Sequence, residues 1–181
     1  MKRISSDVRS KAKNIVFLLL DVDGVLTDGR IIIDDRGIET KHFNVRDGQG
    51  ISLLLRSGID VGILTSRSSP TVRHRAKDLG ISLVRQGVRD KLAAYQTIKR
   101  QRGLKDAQIS YMGDDIVDLA ILRRVGFAVA VADAWPGLSS VVDYVTAAEG
   151  GDGAVREIAE LLLKVQRKWW AAIAQLDDAR R

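Results

Sequence analysis

The sequence predicts an α/β fold in which a doubly wound parallel sheet carries helices on both faces. Short apolar runs alternate with amphipathic segments of helical length, which is the pattern of consecutive strand–helix units. The first run, residues 15–20, is apolar throughout, as expected of a strand buried on both faces. With 181 residues and 45% hydrophobic side chains, the chain is long enough for one domain with a proper core.

The predicted elements follow in order. Residues 30–33 and 38–43 are β-prone and are separated by a polar turn that ends in Gly37, which predicts a hairpin inserted after the first strand. Asp47 then stands where a helix N-cap is expected. The remaining elements are a strand at 60–64, a helix from Pro70 to Leu79, a strand at 81–84, a helix from Lys91 to Arg102, a strand at 109–112, a helix from Ile116 to Val125 and a strand at 127–131. This alternation predicts a Rossmann-like arrangement.

A single long helix is predicted after the glycine-rich segment 150–153. Its apolar positions alternate in steps of three and four, a heptad-like stripe. The stripe consists of Val155, Ile158, Leu162, Val165, Trp169, Ala172 and Leu176. The first half is expected to pack on the sheet, whereas the second half either contacts a partner or frays as a basic tail.

Three regions are expected along the chain: a basic N-terminal tail at 1–13, the domain at 14–163 and a helical extension at 164–181. The first region holds five basic residues and one acidic residue, and the last holds five basic and two acidic residues. Since the whole chain carries +6, the domain itself carries about −1. Because the positive charge lies at the ends and aromatic residues are sparse, nucleic acid is not an expected partner.

The composition also bears on location. The chain has no cysteine, and no uninterrupted apolar run approaches the roughly 20 residues of a membrane span. The N-terminus is polar and charged, without the apolar core of a signal peptide. We therefore expect a cytoplasmic protein with no membrane contact.

Polar side chains follow the predicted strands, where parallel sheets bind ligands. They are Asp21 and Asp23 after the first strand, Thr65 and Ser66 after the second, and Asp114 and Asp115 after the fourth, with Lys91 at a helix start near the same edge. Two carboxylates as close as Asp21 and Asp23 repel unless a cation or a shared proton neutralises them. Asp23 with Gly24 alone is equally explained as a turn, but the downstream residues favour a divalent metal site.

The chemistry of this set fits a phosphate ester. Asp21 is a suitable nucleophile, and Asp23 can protonate the leaving oxygen and later activate water. Mg²⁺ prefers hard oxygen ligands, which Asp21, Asp114 and the carbonyl of Asp23 would provide. Lys91 and Thr65 would hold the other phosphoryl oxygens.

These residues carry a resemblance to a known family. Asp21-Val22-Asp23-Gly24-Val25-Leu26-Thr27 resembles motif one of the haloacid dehalogenase-like hydrolases, Thr65 motif two and Lys91 motif three. Gly113-Asp114-Asp115 with Asp118 resembles motif four, in which Asp115 and Asp118 would support the metal shell. The resemblance covers residues 15–163. The intervals between motifs are too short for the cap domain that many members insert, so we expect a capless member.

Among capless members, the chain resembles phosphatases of an eight-carbon 2-keto-3-deoxy sugar acid used in lipopolysaccharide precursor synthesis. The matching segments are 26–29, 43–48, Gly87 with Asp90-Lys91, and 150–157. The resemblance implies a Mg²⁺-dependent homotetramer in which hairpins form an intersubunit barrel and the glycine-rich C-terminal segment reaches a neighbour's active site. A nine-carbon sialic-type 9-phosphate substrate is the alternative. A non-catalytic oligomerisation or regulatory module is the alternative of another class.

The same resemblance implies a substrate-binding set: Asp23, Asn44, Val45, Arg46, Asp47, Gly48, Ser52, Ser66, Arg67, Arg75 and Lys91. Arg67 suits a carboxylate or phosphate through its bidentate fork, although a surface arginine in a polar loop is the other interpretation. Arg75 is also explained as part of a solvated helix face. Ser66 stands where the family typically has glycine, which changes the rim of the pocket and leaves the catalytic set intact.

Overall fold

The computed structural model of the chain describes residues 4–178. Its strands are β1 (Phe17–Leu20), β2 (Ile32–Ile33), β3 (Glu39–Thr40), β4 (Asp60–Leu64), β5 (Leu83–Arg85), β6 (Ile109–Gly113), β7 (Phe127–Ala130) and β8 (Tyr144–Val145). Its α-helices are α1 (Ser6–Lys13), α2 (Val45–Arg56), α3 (Pro70–Asp78), α4 (Lys91–Arg102), α5 (Leu119–Leu122), α6 (Ala154–Val165) and α7 (Trp169–Asp178). Residues 1–3 and 179–181 of the predicted ends lie outside the described residues.

Six strands form one parallel sheet in the order β5-β4-β1-β6-β7-β8, and β2 pairs with β3 as an antiparallel hairpin. This confirms the predicted α/β fold. Between β1 and β4 the described chain contains only the hairpin and α2, so no cap domain is found in residues 4–178. Strand order reverses at β1, which therefore lies at the switch point where such sheets bind ligands.

Strand β1 forms the centre because all four of its side chains are buried, as the apolar run predicts. Leu18 and Leu20 pack into the core on one face of the sheet, and Phe17 and Leu19 pack into the core on the other. Burying each such side chain contributes roughly 1.5–3 kcal/mol. Leu20 lies in register with Ile63 and Met112, the penultimate residues of the two neighbouring strands, so Asp21 emerges between their carboxyl ends.

Short polar elements depart from the sequence predictions. Strand β8 is only two residues long and is half exposed, so its sequence carries no alternation from which to predict it. The predicted helix from Ile116 to Val125 is instead a 3₁₀ turn over Ile116–Asp118 followed by α5. The side chains of Asp115 and Asp118 bond to backbone N–H groups in this turn, which compete with α-helical hydrogen bonding.

The predicted basic tail at 1–13 is corrected by α1. Ser5 caps this helix by accepting a hydrogen bond from the N–H of Val8, and Val8 and Ala12 are buried. Lys11 donates to Asp143 at 2.6 Å, which ties α1 to the loop before β8. The helix is amphipathic enough to pack, although its polar composition conceals this. The domain boundaries at residues 14 and 163 stay predictions.

The predicted single C-terminal helix is also wrong, because the chain breaks between α6 and α7. Arg167 adopts a left-handed backbone with φ 59°, and the side chain of Gln166 donates to the carbonyls of Ala12 and Ile15. These tertiary hydrogen bonds stabilise the break, which residue spacing alone does not reveal. Trp169 then packs against Lys164, whose Nζ lies 4.8 Å from the centroid of the Trp169 ring, and Ala172 is buried.

Further along α7, Trp170 is exposed, whereas the side chain of Leu176 lies outside the described part of the chain. A partner contact of α7 stays a prediction. No helix in residues 4–178 is long and apolar enough to cross a membrane.

The sequence predicts that Asp47 caps its own helix, α2, but in the structure it does not. Asn44 caps α2, accepting from the N–H of Arg46 at 2.7 Å. The buried carboxylate of Asp47 reaches the start of α6, where it accepts from the N–H of Arg156 at 2.7 Å and of Gly153 at 3.3 Å. Because Gly153 has no side chain to cap α6, Asp47 takes that place from a distant part of the sequence. Burial raises the pKa of Asp47, against the opposing effect of these hydrogen bonds.

We expect Asp47→Ala to lower the free energy of unfolding by about 1–2 kcal/mol, since a helix N-cap is lost. Asp47→Asn keeps one acceptor oxygen and is expected to cost less. Chemical denaturation of both variants measures the difference, with Asp35→Ala in the exposed hairpin turn as a control. Equal stability of Asp47→Ala and the natural protein would contradict this assignment.

Candidate active site

Three strand ends surround one cavity at the carboxyl edge of the sheet. The cavity has a volume of about 250 Å³. Its lining residues are Asp21, Asp23, Gly29, Thr65, Ser66, Arg67, Lys91, Asp114, Asp115 and Val117. The structure thus brings together the side chains that follow β1, β4 and β6, as the sequence predicts.

Three carboxylates form a cluster, called the floor below, at the base of this cavity: Asp21 and Asp114 line it, and Asp118 lies buried behind them. Asp21, Asp114 and Asp118 each offer an oxygen, and these atoms lie within 4.8 Å of one another. Asp118 is fully buried and holds the loop after β6 in place, because its Oδ2 accepts from the N–H of Asp114 at 3.0 Å and of Asp115 at 3.3 Å. The hydroxyl of Tyr111 donates to its Oδ1 at 2.6 Å. The tyrosine was not singled out in the sequence, because it is an ordinary apolar-run residue of β6.

Lys91 lies buried between two of these carboxylates. Its Nζ donates to Asp21 Oδ2 at 2.6 Å and to Asp118 Oδ1 at 2.7 Å. It stands at the first residue of α4, whose cap Asp90 accepts from the N–H of Ala93 at 2.9 Å. Burial acts to lower the pKa of Lys91, but the two carboxylate charges outweigh it and raise that pKa.

The electrostatics of the floor call for a further cation. Burial raises the pKa of Asp21 to about 6, although Lys91 acts to lower it. Burial, together with the charges of Asp21 and Asp118, raises the pKa of Asp114 to about 7. One ammonium therefore does not compensate three carboxylates. A hard divalent cation such as Mg²⁺ fits this donor set, since it prefers carboxylate oxygens and retains water ligands.

The metal set predicted from the sequence differs from this cluster at one position. The carboxylate of Asp118 joins Asp21 and Asp114, whereas the carboxylate of Asp23 points to Lys41. The carbonyl of Asp23 stays a predicted ligand. The side chain of Asp115 accepts from the N–H of Ile116 at 2.7 Å and so shapes the loop.

Close backbone packing fixes the loop after β1. Gly24 has φ 84°, and a Cβ there would lie 2.1 Å from Oδ2 of Asp114. A Cβ on Gly150 would lie 1.8 Å from the carbonyl oxygen of Gly24. The N–H of Gly151 donates to the carbonyl of Val25 at 3.0 Å. The glycine-rich segment at 150–153 therefore buttresses its own subunit's catalytic loop, while the expected reach into a neighbour's site stays a prediction.

A second set of charges surrounds Asp23 above the floor. Lys41 donates to Asp23 Oδ1 and lies 3.3 Å from Glu39. Arg67 donates to Glu39 at 2.7 Å, and its Nε lies 3.6 Å from Asp23 Oδ2. Glu39 and Lys41 were missed in the sequence, although two residues spaced by two in an extended segment lie on one face; Glu39 is in β3 and Lys41 directly follows it.

The charge state of Glu39 follows from these contacts. Burial acts to raise the pKa of Glu39, but the hydrogen bond from Arg67 and the nearby ammonium of Lys41 lower it to about 2. Glu39 is therefore ionised at neutral pH. Thr65, which is buried at the cavity wall, accepts from the N–H of Arg67 at 3.4 Å and so ties this loop to the site.

The predicted substrate-binding residues fall into two places. Ser66 and Arg67 line the cavity above Asp21, whereas a second cavity of about 250 Å³ is lined by Val45, Gly48, Gln49, Ser52, Arg75, Asp78 and Leu79. Asn44 and Arg46 lie at the start of α2, and the carboxylate of Asp47 accepts hydrogen bonds from the N-terminus of α6. One subunit therefore does not unite the full set around the carboxylates.

Comparisons with known proteins show the family to which the chain belongs. The haloacid dehalogenase-like hydrolase family matches residues 81–158. The 3-deoxy-D-manno-octulosonate 8-phosphate phosphatase KdsC of Escherichia coli K12 is 47% identical over 165 residues, which are 91% of this chain and 88% of the relative. The chain belongs to the KdsC family of haloacid dehalogenase-like hydrolases. This confirms the resemblance inferred from the motifs.

Solved structures of KdsC family members share the fold. The Yersinia pestis 3-deoxy-D-manno-octulosonate 8-phosphate phosphatase has a TM-score of 0.90 at 45% identity, covering 91% of this chain and 89% of its own. The Moraxella catarrhalis enzyme, in complex with magnesium, phosphate and a KDO molecule, has a TM-score of 0.91 at 44% identity. That likeness covers 94% of this chain and 98% of the relative.

Proposed function

We propose that this chain is a Mg²⁺-dependent phosphomonoesterase that hydrolyses 3-deoxy-D-manno-octulosonate 8-phosphate to 3-deoxy-D-manno-octulosonate and phosphate. The observation that carries the proposal is the buried contact of Lys91 with Asp21 in a chain 47% identical to KdsC. The KDO, phosphate and magnesium held by the Moraxella catarrhalis relative support the substrate and the metal. A cytoplasmic place in lipopolysaccharide precursor synthesis belongs to the same proposal and rests on these relatives.

Asp21 acts as the nucleophile. One of its carboxylate oxygens attacks phosphorus, the bond from phosphorus to the sugar oxygen breaks, and Asp23 gives its proton to that leaving oxygen. An aspartyl-phosphate on Asp21 results. Asp23, now a carboxylate, takes a proton from water as the water oxygen bonds to phosphorus, and the bond from phosphorus to Asp21 breaks to release inorganic phosphate.

Other residues hold the phosphoryl group and keep the nucleophile aligned. Lys91 and the hydroxyl of Thr65 lie at the cavity wall, where both can donate to phosphoryl oxygens. Asp21, Asp114 and the carbonyl of Asp23 would hold Mg²⁺, which when bound offsets the negative charge of phosphate and carboxylates. Asp118 fixes Lys91 and the loop that carries Asp114.

A substrate screen tests the proposal. Phosphate release is measured from the eight-carbon 8-phosphate and from a nine-carbon sialic-type 9-phosphate, each with Mg²⁺ and with EDTA. We expect Mg²⁺-dependent release with preference for the eight-carbon ester. Preference for the nine-carbon ester would favour the alternative substrate, and no release from either would favour a non-catalytic module.

A homotetramer is proposed as the assembly. The hairpin exposes Ile31, Ile33 and Ile38, each more than half accessible, and both of its edges lack a strand partner among residues 4–178. Exposed apolar side chains and open strand edges are typical of surfaces that pair with another chain. Packing of neighbouring hairpins would also bring the second substrate-binding group towards an adjacent subunit's cavity.

We expect Ile33→Asp to dissociate this assembly, because a charge at a paired apolar surface has no compensating partner. Solution mass by light scattering is expected to fall from four times the 19.9 kDa of one chain to a smaller species. Gln96→Asp, on the exposed face of α4, is the control and is expected to leave the mass unchanged. An unchanged mass for Ile33→Asp would contradict the role of the hairpin.

A further inference from the structure

Four side chains above the catalytic floor form a closed ring of alternating charge. Asp23 contacts Lys41, Lys41 lies 3.3 Å from Glu39, Glu39 contacts Arg67 at 2.7 Å, and Arg67 lies 3.6 Å from Asp23. When all four groups are ionised, as when Asp23 has given up its proton, each member has neighbours of the opposite sign and the ring is neutral as a whole. It joins the loop after β1, the hairpin and the loop after β4.

Lys41 is the most buried member of the ring. Its side chain is 1% exposed, compared with 44% for Arg67. Burying an ammonium is costly unless carboxylates and hydrogen bonds compensate it, so the position of Lys41 depends on Asp23 and Glu39. The reverse also holds, because without Lys41 the carboxylate of Asp23 would lose its close partner.

The two oxygens of Asp23 have different surroundings. Oδ1 accepts from the buried Lys41, and Oδ2 faces the exposed Arg67 at the longer distance of 3.6 Å. Lys41 therefore restrains the rotation of the carboxyl group and leaves Oδ2 on the side of Arg67, which lines the cavity together with Asp23. An acid that protonates a leaving oxygen must present one oxygen at hydrogen-bond distance, so its orientation controls that step.

We propose that Lys41 is a positioning residue that orients Asp23 for protonation of the leaving oxygen, with Glu39 holding Lys41 in place. The proposal rests on the phosphatase function proposed above and assigns a role that the motifs do not contain. Lys41 acts through Asp23 only. The bond changes are those already described: the proton of Asp23 moves to the sugar oxygen as the bond from phosphorus to that oxygen breaks.

Leaving-group dependence tests this role. A sugar alcohol needs a proton in order to leave, whereas the p-nitrophenolate of p-nitrophenyl phosphate leaves without one. We compare kcat/KM for both esters with Mg²⁺, because this ratio includes the steps up to leaving-group departure and not the later release of phosphate from Asp21. For Lys41→Met we expect a loss of about 30-fold or more on the sugar ester and less than about threefold on the aryl ester, given the usual size of general acid catalysis.

Three further variants complete the design. Glu39→Gln keeps the shape of Glu39 and is expected to disturb the fold less than loss of the buried lysine. It is expected to lower kcat/KM for the sugar ester selectively, by about three- to tenfold. Lys11, which lies in α1 far from the site, also pairs with an aspartate, Asp143. Lys11→Met is therefore the control, and it is expected to leave kcat/KM for both esters unchanged. Asp23→Asn should reproduce the selectivity of Lys41→Met.

The outcomes separate this inference from the proposed function. Equal losses on both esters would assign Lys41 a structural role only, and no loss on either would remove it from the reaction. If the natural protein cleaves the aryl ester and another alkyl phosphate but not the eight-carbon ester, the proposed substrate fails while the comparison for Lys41 still proceeds with that alkyl phosphate. Absence of all phosphatase activity would overturn both.

Discussion

Replacement of Asp21 by asparagine is expected to lower kcat for the eight-carbon ester at least about a thousandfold, as loss of a covalent nucleophile does. The amide lacks the charge and the basicity needed to form the aspartyl-phosphate. Lys91 still retains Asp118 as a partner at 2.7 Å, so the floor of the cavity keeps its cation in place. Phosphate release at saturating substrate and Mg²⁺ measures the loss.

The fold of Asp21→Asn is expected to survive, because the substitution removes one of three carboxylates that repel each other. Thermal unfolding checks this, and calorimetric Mg²⁺ binding is expected to weaken without disappearing, since Asp114 remains. Asp60→Asn, which alters an exposed aspartate paired with Arg102, serves as the matched control and should retain full activity. Near-normal turnover of Asp21→Asn would overturn the mechanism.

The sequence predicted the floor of the site well, for a physical reason. Residues after parallel strands are brought to one edge by the sheet itself, so Asp21, Thr65 and Asp114 could be placed without knowledge of side-chain packing. The apolar run of β1 also predicted a strand buried on both faces, which the structure confirms. Lys91 was placed by its helix cap, because Asp90 and Gly103 mark the ends of α4.

Contacts between distant segments could not be predicted in the same way. Asp47 fits a local N-cap by its spacing, yet its carboxylate caps α6 about a hundred residues later. Lys41 was not singled out as a site residue, since a lysine in a hairpin is usually solvated and its spacing from Glu39 alone does not indicate burial. The break after α6 depends on Gln166 bonding to carbonyls near β1, which has no local signal.

The second group of predicted substrate-binding residues illustrates a different limit. Val45, Gly48, Ser52 and Arg75 surround their own cavity, so no property of a single chain unites them with Asp21. Only an assembly can join two surfaces of separate copies. The exposed isoleucines of the hairpin are the feature of one chain that points to such an assembly.

Removal of the buried ammonium group of Lys91 should show how the stability of the floor depends on charge balance. Lys91→Met leaves Asp21 and Asp118 facing each other without the ammonium that now contacts both. We expect the free energy of unfolding at pH 7.5 in EDTA to fall by roughly 3–5 kcal/mol, the usual cost of breaking a buried ion pair from one side. Turnover should be lost as well, because Lys91 no longer holds the phosphoryl group.

The pH dependence of this loss has a definite sign. Burial raises the pKa of Asp114 to about 7 and of Asp21 to about 6 in the folded protein, whereas an unfolded aspartate titrates near about 3.9. Between about pH 4 and 7 the folded state therefore binds more protons than the unfolded state, and metal-free stability falls as the pH rises. Without Lys91, which acts to lower both of these pKa values, the fall should be steeper.

The deficit of Lys91→Met relative to the natural protein is thus expected to be larger at pH 7.5 than at pH 5, and Mg²⁺ should recover part of it at pH 7.5. Urea denaturation in EDTA and in Mg²⁺ at the two pH values measures these differences, with Lys11→Met as the control for loss of a lysine. An equal deficit at both pH values would show that Lys91 stabilises the fold by packing alone. A deficit that grows with pH and shrinks with Mg²⁺ would instead identify repulsion among the carboxylates as the force that Lys91 and the metal jointly oppose.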